Sequence, residues 1–120
     1  MSNQISWRVE LAVKPGQIDN FHALTGEMVE STRKEPGVLS YERFATDDAK
    51  FVHVYERYAD SAAALAHLQE FRKKFGDRFL RMVERTEFTV YGNPSDELRR
   101  LLDGFGAMYL KPFGDFEYWP

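Results

Sequence analysis

Hydrophobic and polar residues alternate along Ile5–Val13: Ile5, Trp7, Val9, Leu11 and Val13 fall on one side, Ser6, Arg8 and Glu10 on the other. A period of two marks a strand with one buried face, and Pro15-Gly16 ends it. Over residues 17–34 the period lengthens. Ile18, Phe21, Leu24 and Met28 make one stripe of an amphipathic helix. Asp19 and Glu27 lie toward its start and Arg33 and Lys34 at its end, as the helix dipole prefers. Pro36-Gly37 stops it.

Residues 38–46 and 50–58 read as two strands joined by the acidic turn Asp47-Asp48, a hairpin by their closeness. Its register is open. Pairing residue 46 with 50 sets Arg43 against His53 and Tyr41 against Tyr55; a tighter loop sets Glu42 against His53. Asp60 or Ser61 caps a second helix. Its inner stripe is Ala64, Leu65, Leu68 and Phe71 or Arg72, with His67 off the stripe's centre, and Phe79 and Met82 predict a further turn. Residues 83–93 form a fourth strand, closed by Gly92-Asn93-Pro94.

The order β-α-β-β-α-β predicts an α+β, ferredoxin-like antiparallel sheet with both helices on one face, spanning residues 1–94. The other face is then uncovered, and Tyr41, Phe51 or Tyr55 is expected on it. An apolar sheet face of that size calls for a partner, and a homodimer packed sheet to sheet is the simplest one. Residues 95–120 lie beyond this unit. Ser95 caps a short helix with Leu98, Leu101 and Leu102, ending at Gly104. The tail carries Phe105, Tyr109, Phe113, Phe116, Tyr118 and Trp119. So aromatic a segment is expected to pack, on this subunit or on its partner.

Composition narrows the chemistry. A net charge of −3 argues against nucleic acid, which needs a concentrated basic surface. The short cluster Arg72, Lys73 and Lys74 reads as a solvated helix end. The 120 residues hold no cysteine, excluding disulfides and thiolate chemistry. No secretory signal and no membrane-spanning apolar run is visible, so the cytoplasm is the expected location. The three histidines lack paired metal-ligand spacing. No phosphate-binding glycine loop and no nucleophile elbow is present. The expectation is therefore no metal and no cofactor, and chemistry from a shaped pocket with a few polar groups. The 18 aromatic residues suit such a pocket.

Several residues then match a known pattern: Glu35-Pro36-Gly37 before the second strand, Tyr41 within it, Phe51-Val52 opening the third, Glu56 near its end, then Asp60, Ala63-Ala64 and His67. Over roughly residues 5–93 the chain resembles the antibiotic biosynthesis monooxygenase family of dimeric α+β barrels. The resemblance implies a ferredoxin-like dimer. Some members oxidise phenols or hydroquinones with molecular oxygen and no flavin, haem or metal; others degrade haem or act as isomerases. Haem-degrading members carry a tryptophan where this chain has His67, and a first-strand asparagine that Ile5–Val13 lacks. Both departures argue against that activity.

Candidate catalytic residues are His67, His53 and Glu56. A histidine titrates near neutrality and suits transfer of a phenolic proton. His53 faces the side opposite Val52 and Val54. Glu56, at a strand end, either accepts backbone N–H bonds from the following helix or shares a proton with substrate or His67. Trp7, Tyr41, Tyr55 and Arg43 are candidate substrate-binding residues, with core or interface packing as the competing role for the aromatics. The first reading is a cofactor-independent monooxygenase acting on a small aromatic or quinol-like molecule. The alternatives are a non-redox isomerase or binding protein on the same scaffold, and a dimer with no cavity.

Overall fold

The computed structural model describes residues 3–116. Tyr118 and Trp119 of the aromatic tail lie outside the described residues. Nine elements follow in chain order: β1 (Ile5–Val13), α1 (Ile18–Arg33), β2 (Val38–Ala45), β3 (Phe51–Tyr58), α2 (Ser61–Lys74), α3 (Gly76–Met82), β4 (Val83–Tyr91), α4 (Asp96–Asp103) and β5 (Met108–Leu110). The sheet runs β2-β3-β1-β4-β5. Its first four strands pair antiparallel in the ferredoxin-like order, and β5 adds to β4 in parallel.

The alternation in β1 is obeyed at every position: its five apolar residues are buried and the residues between them half-buried. The buried side continues through Val52, Val54 and Glu56 of β3 and Phe88 and Val90 of β4. With Phe21, Leu24 and Met28 of α1 and Ala64 and Leu68 of α2, the apolar residues among these form one core. The Asp60 side chain caps α2 by accepting from Ala63 N–H at 2.9 Å. Gly37 is needed where β2 begins. Its φ is +84°, and a Cβ there would lie 2.6 Å from Ala63 Cβ.

The hairpin takes neither expected register. Tyr41 pairs with Glu56, Glu42 with Tyr55, Arg43 with Val54 and Phe44 with His53. A four-residue loop causes this: Asp48 accepts bonds from the Thr46 hydroxyl and Lys50 N–H, and Ala49 takes a positive φ of 61°. Tyr41 therefore lies with the valines on the helix side, not on the open face. His53, Phe51 and Tyr55 lie on the open face. The inner stripe of α2 also differs from expectation, because His67 sits within it and is 3% exposed, while Leu65 is only half-buried.

The extension packs on its own domain. Leu98 and Leu102 of α4 are fully buried, and the Ser95 hydroxyl caps α4 as the sequence suggests. The open face remains uncovered by described residues. Phe44, Phe51, Met108 and Leu110 are exposed large apolar side chains, and register puts them on that face with Arg8, Glu10 and His53.

Candidate functional site

A buried ionic cluster lies where β2, β3 and α2 meet. The His67 ring stands between two carboxylates: Nδ1 is 3.0 Å from Glu35 Oε1 and Nε2 is 3.3 Å from Glu56 Oε1. Each ring nitrogen faces an acceptor, so the doubly protonated imidazolium satisfies both. Burial works to lower the His67 pKa, but the hydrogen bond and charge of Glu56, then those of Glu35, raise it above its ordinary value. Burial likewise pushes Glu56 up, yet His67, the Tyr58 hydroxyl and the Arg43 charge hold it below the usual carboxylate range. Glu56 thus stands as a carboxylate beside an imidazolium. The Tyr58 hydroxyl donates to Glu56, and burial and that neighbouring charge push its pKa well above normal.

Tyr41 reaches the same cluster from β2. Its ring meets His67 edge-on at 5.4 Å. Arg43 lies over the Tyr41 ring at 4.4 Å and donates from Nη2 to the Tyr41 hydroxyl at 3.0 Å. Burial, with the Glu56 charge, raises the Tyr41 pKa, so the phenol stays protonated at neutral pH. Arg43 Nε and Nη1 are buried with no hydrogen-bond partner.

The cluster closes one end of a cavity of about 140 Å³ between sheet and helices. Trp7, Tyr41, Arg43, Glu56 and His67 line it, together with an apolar wall that includes Phe71, Phe79 and Phe88. Five of the seven sequence candidates are thereby assembled. His53 and Tyr55 are not, since both lie across the sheet, where His53 Nε2 is 3.4 Å from Glu10 Oε1. Sequence reading passed over Glu35 and Tyr58 as site residues. Glu35 was visible only as the start of the Glu-Pro-Gly motif. Tyr58 shares the face of Glu56 by strand alternation, and that signal could have found it. Among the described residues no group of three or more His, Cys, Asp or Glu is arranged to hold a metal ion. Both His67 nitrogens are already engaged by carboxylates. No helix among the described residues is long and apolar enough to cross a membrane.

The profile of the family described as antibiotic biosynthesis monooxygenase matches residues 5–84. The chain belongs to this family. The matched segment holds Glu35, Tyr41, Arg43, Glu56, Tyr58 and His67, the residues of the buried cluster. Among solved structures, a candidate antibiotic biosynthesis monooxygenase from Bacteroides thetaiotaomicron is 30% identical, covering 72% of this chain and 85% of its own, with a TM-score of 0.65. Another antibiotic biosynthesis monooxygenase is 26% identical over 72% of this chain and 92% of its own, at a TM-score of 0.62. MupZ from Pseudomonas fluorescens has the same fold along nearly the full length: 98% of this chain and 91% of its own, at a TM-score of 0.88 and 22% identity. No curated protein matches the chain.

Proposed function

We propose that this member of the antibiotic biosynthesis monooxygenase family oxidises a single-ring phenol or hydroquinone with molecular oxygen, using no flavin, haem or metal. The observation that carries the reading is the buried Glu56–His67 pair opening onto an aromatic cavity. At about 140 Å³ the space resembles the apolar cavity of about 150 Å³ that accepts benzene in another protein. One ring therefore fits against Trp7, Phe71 and Phe88. The substrate hydroxyl lies toward Glu56 and Tyr41. Loss of its proton to the Glu56–His67 couple makes a phenolate, which passes one electron to O2. The resulting radical pair joins at a ring carbon, and the peroxide anion so formed takes the proton back from the couple. The hydroperoxide then loses water, so that phenol and O2 give quinone and H2O. The dry wall keeps water from the radical pair, and the cationic Arg43 and His67 favour the phenolate over the phenol.

The test is oxygen uptake by metal-free protein with a panel of phenols and hydroquinones, read beside quinone absorbance. Uptake above buffer that falls in Glu56→Gln supports the reading; no uptake with any member, on folded protein, overturns it.

A second reading is a non-redox isomerisation. It is favoured by the pairing of an ionised carboxylate with an imidazolium in one buried site, which supplies a base and an acid together. Glu56 would remove a proton and His67 return one. Solvent deuterium entering substrate without oxygen consumption distinguishes it.

We also infer that the open sheet face, with Phe44, Phe51, Met108 and Leu110 exposed, seats a second copy of the chain. Exposed apolar side chains gathered on one sheet face call for a partner.

A further inference from the structure

The cavity has a second end. Arg72, from the last turn of α2, and Arg85, from β4, both line it. Among the described residues neither has an ion-pair partner. Arg85 is instead stacked on aromatic rings, its guanidinium carbon 4.8 Å from the Phe105 centroid and 5.9 Å from that of Phe88. Phe88 and Phe105 stack on each other at 5.7 Å. This stacking fixes a guanidinium at the cavity wall without neutralising it. Partial burial lowers the Arg85 pKa. The cavity lining as a whole holds three arginines against the single carboxylate Glu56, in a chain whose net charge is −3. A cationic recess in an acidic protein concentrates anions.

The position of these residues in the chain adds to this. Arg85, Phe88 and Phe105 all fall after residue 84, where the family match ends. The acid–base cluster and Arg72 belong to the family segment, whereas Arg85, Phe88 and Phe105 extend the cavity wall beyond it.

We propose that the substrate is an amphipathic anion: a single phenolic ring in the aromatic part of the cavity, carrying a side chain that ends in a carboxylate held by Arg72 and Arg85. The phenolic half of this statement rests on the function proposed above; the anionic half rests on the arginines alone. Arginine suits the role because its fork matches a carboxylate and stacks on aromatic faces.

The experiment is calorimetric titration of the full chain, without oxygen, with hydroxyphenyl alkanoates of increasing chain length and the matched hydroxyphenyl alkanols. Wild type should bind at least one acid roughly tenfold or more tighter than its alcohol, as a charge-assisted contact supplies. The preference should shrink as salt is raised. In the double variant Arg72→Gln/Arg85→Gln it should fall to near unity while affinity for the alcohol persists. Arg72 lies on an exposed helix turn, so Arg72→Gln alone tests the point if the double variant folds poorly: it should reduce the preference severalfold. Equal binding of acid and alcohol by wild type, binding of neither series, or a preference untouched by the substitutions overturns the proposal. A carboxylate preference without oxygen uptake would sink the oxygenase reading and leave this one standing; uptake with no such preference would do the reverse.

Discussion

Tyr41 and Glu56 are direct cross-strand partners in the β2–β3 hairpin. That single pairing sets a phenol beside a buried carboxylate on the helix side of the sheet, where His67 descends from α2 to meet both. A shift of one residue would turn Tyr41 or Glu56 to the opposite face and dismantle the site.

Replacing Glu56 by Gln keeps the shape and removes the charge. Activity should drop by about 10²–10⁴, the usual contribution of a positioned acid–base group. The His67 pKa should fall as well, because its principal stabilising carboxylate is gone. Steady-state rates and imidazole nitrogen shifts measure the two effects separately; unchanged rates would remove Glu56 from the proton path.

The ionic cluster also predicts how stability follows pH. The raised His67 pKa gives stability that is complete below about pH 6.5 and lost as pH climbs through the folded-state value. The lowered Glu56 pKa gives stability present above about pH 4.3 and lost as pH falls through its own folded value. The two contributions coexist between those limits. Urea midpoints across the pH range should therefore decline on the alkaline side in wild type. In His67→Gln that decline should vanish, with an overall loss of about 3–5 kcal/mol for stranding buried carboxylates. Parallel pH profiles for the two proteins would contradict this.

Much of this architecture was legible beforehand. The β1 alternation, the Ser95 cap and the ferredoxin-like order follow from periodicity and cap chemistry, which left Asp60 and Ser61 both open for the cap of α2. The hairpin register was not legible, because the Thr46–Asp48–Lys50 side-chain bonds that set the loop length leave no hydrophobic signal. The open-face placement expected for Tyr41 failed with it. Glu35 and His67 are far apart in the chain and meet only when α2 packs beside β2, so no local pattern could pair them. Three residues of β5, in an aromatic run without period, likewise gave no warning of a strand.

Gly37→Ala should be destabilising by more than about 1 kcal/mol, since a left-handed backbone conformation and the contact with Ala63 both resist a methyl group. Because Gly37 lies two residues from Glu35, the Glu35–His67 bond should loosen too. Thermal unfolding and the His67 nitrogen shifts report the two effects; an unaltered melting temperature would refute the packing account.

Leu102→Ala should cost about 2–5 kcal/mol in urea unfolding, as for other large-to-small changes at fully buried sites. A loss below about 1 kcal/mol would mean that α4 is a loosely attached appendage and not part of the core.

Phe44→Lys combined with Phe51→Lys should convert a dimer to a monomer in light scattering, with the fold retained by circular dichroism. A wild-type chain that is monomeric at micromolar concentration would end the interface proposal.

One irregularity in the sheet reaches further than its size. Between β1 and β4 the register slips at Glu10/Leu11, so that Leu11 faces Arg85 and Thr86 is passed over, its hydroxyl donating to the Glu10 carbonyl at 3.1 Å. One surplus residue inverts everything before it along β4. Had the ladder run on evenly, Val83 and Arg85 would look outward, and Glu84 would be turned into the interior. A lone insertion thereby decides that whatever enters the molecule meets a guanidinium beside Leu11 and not the hydroxyl of Thr86.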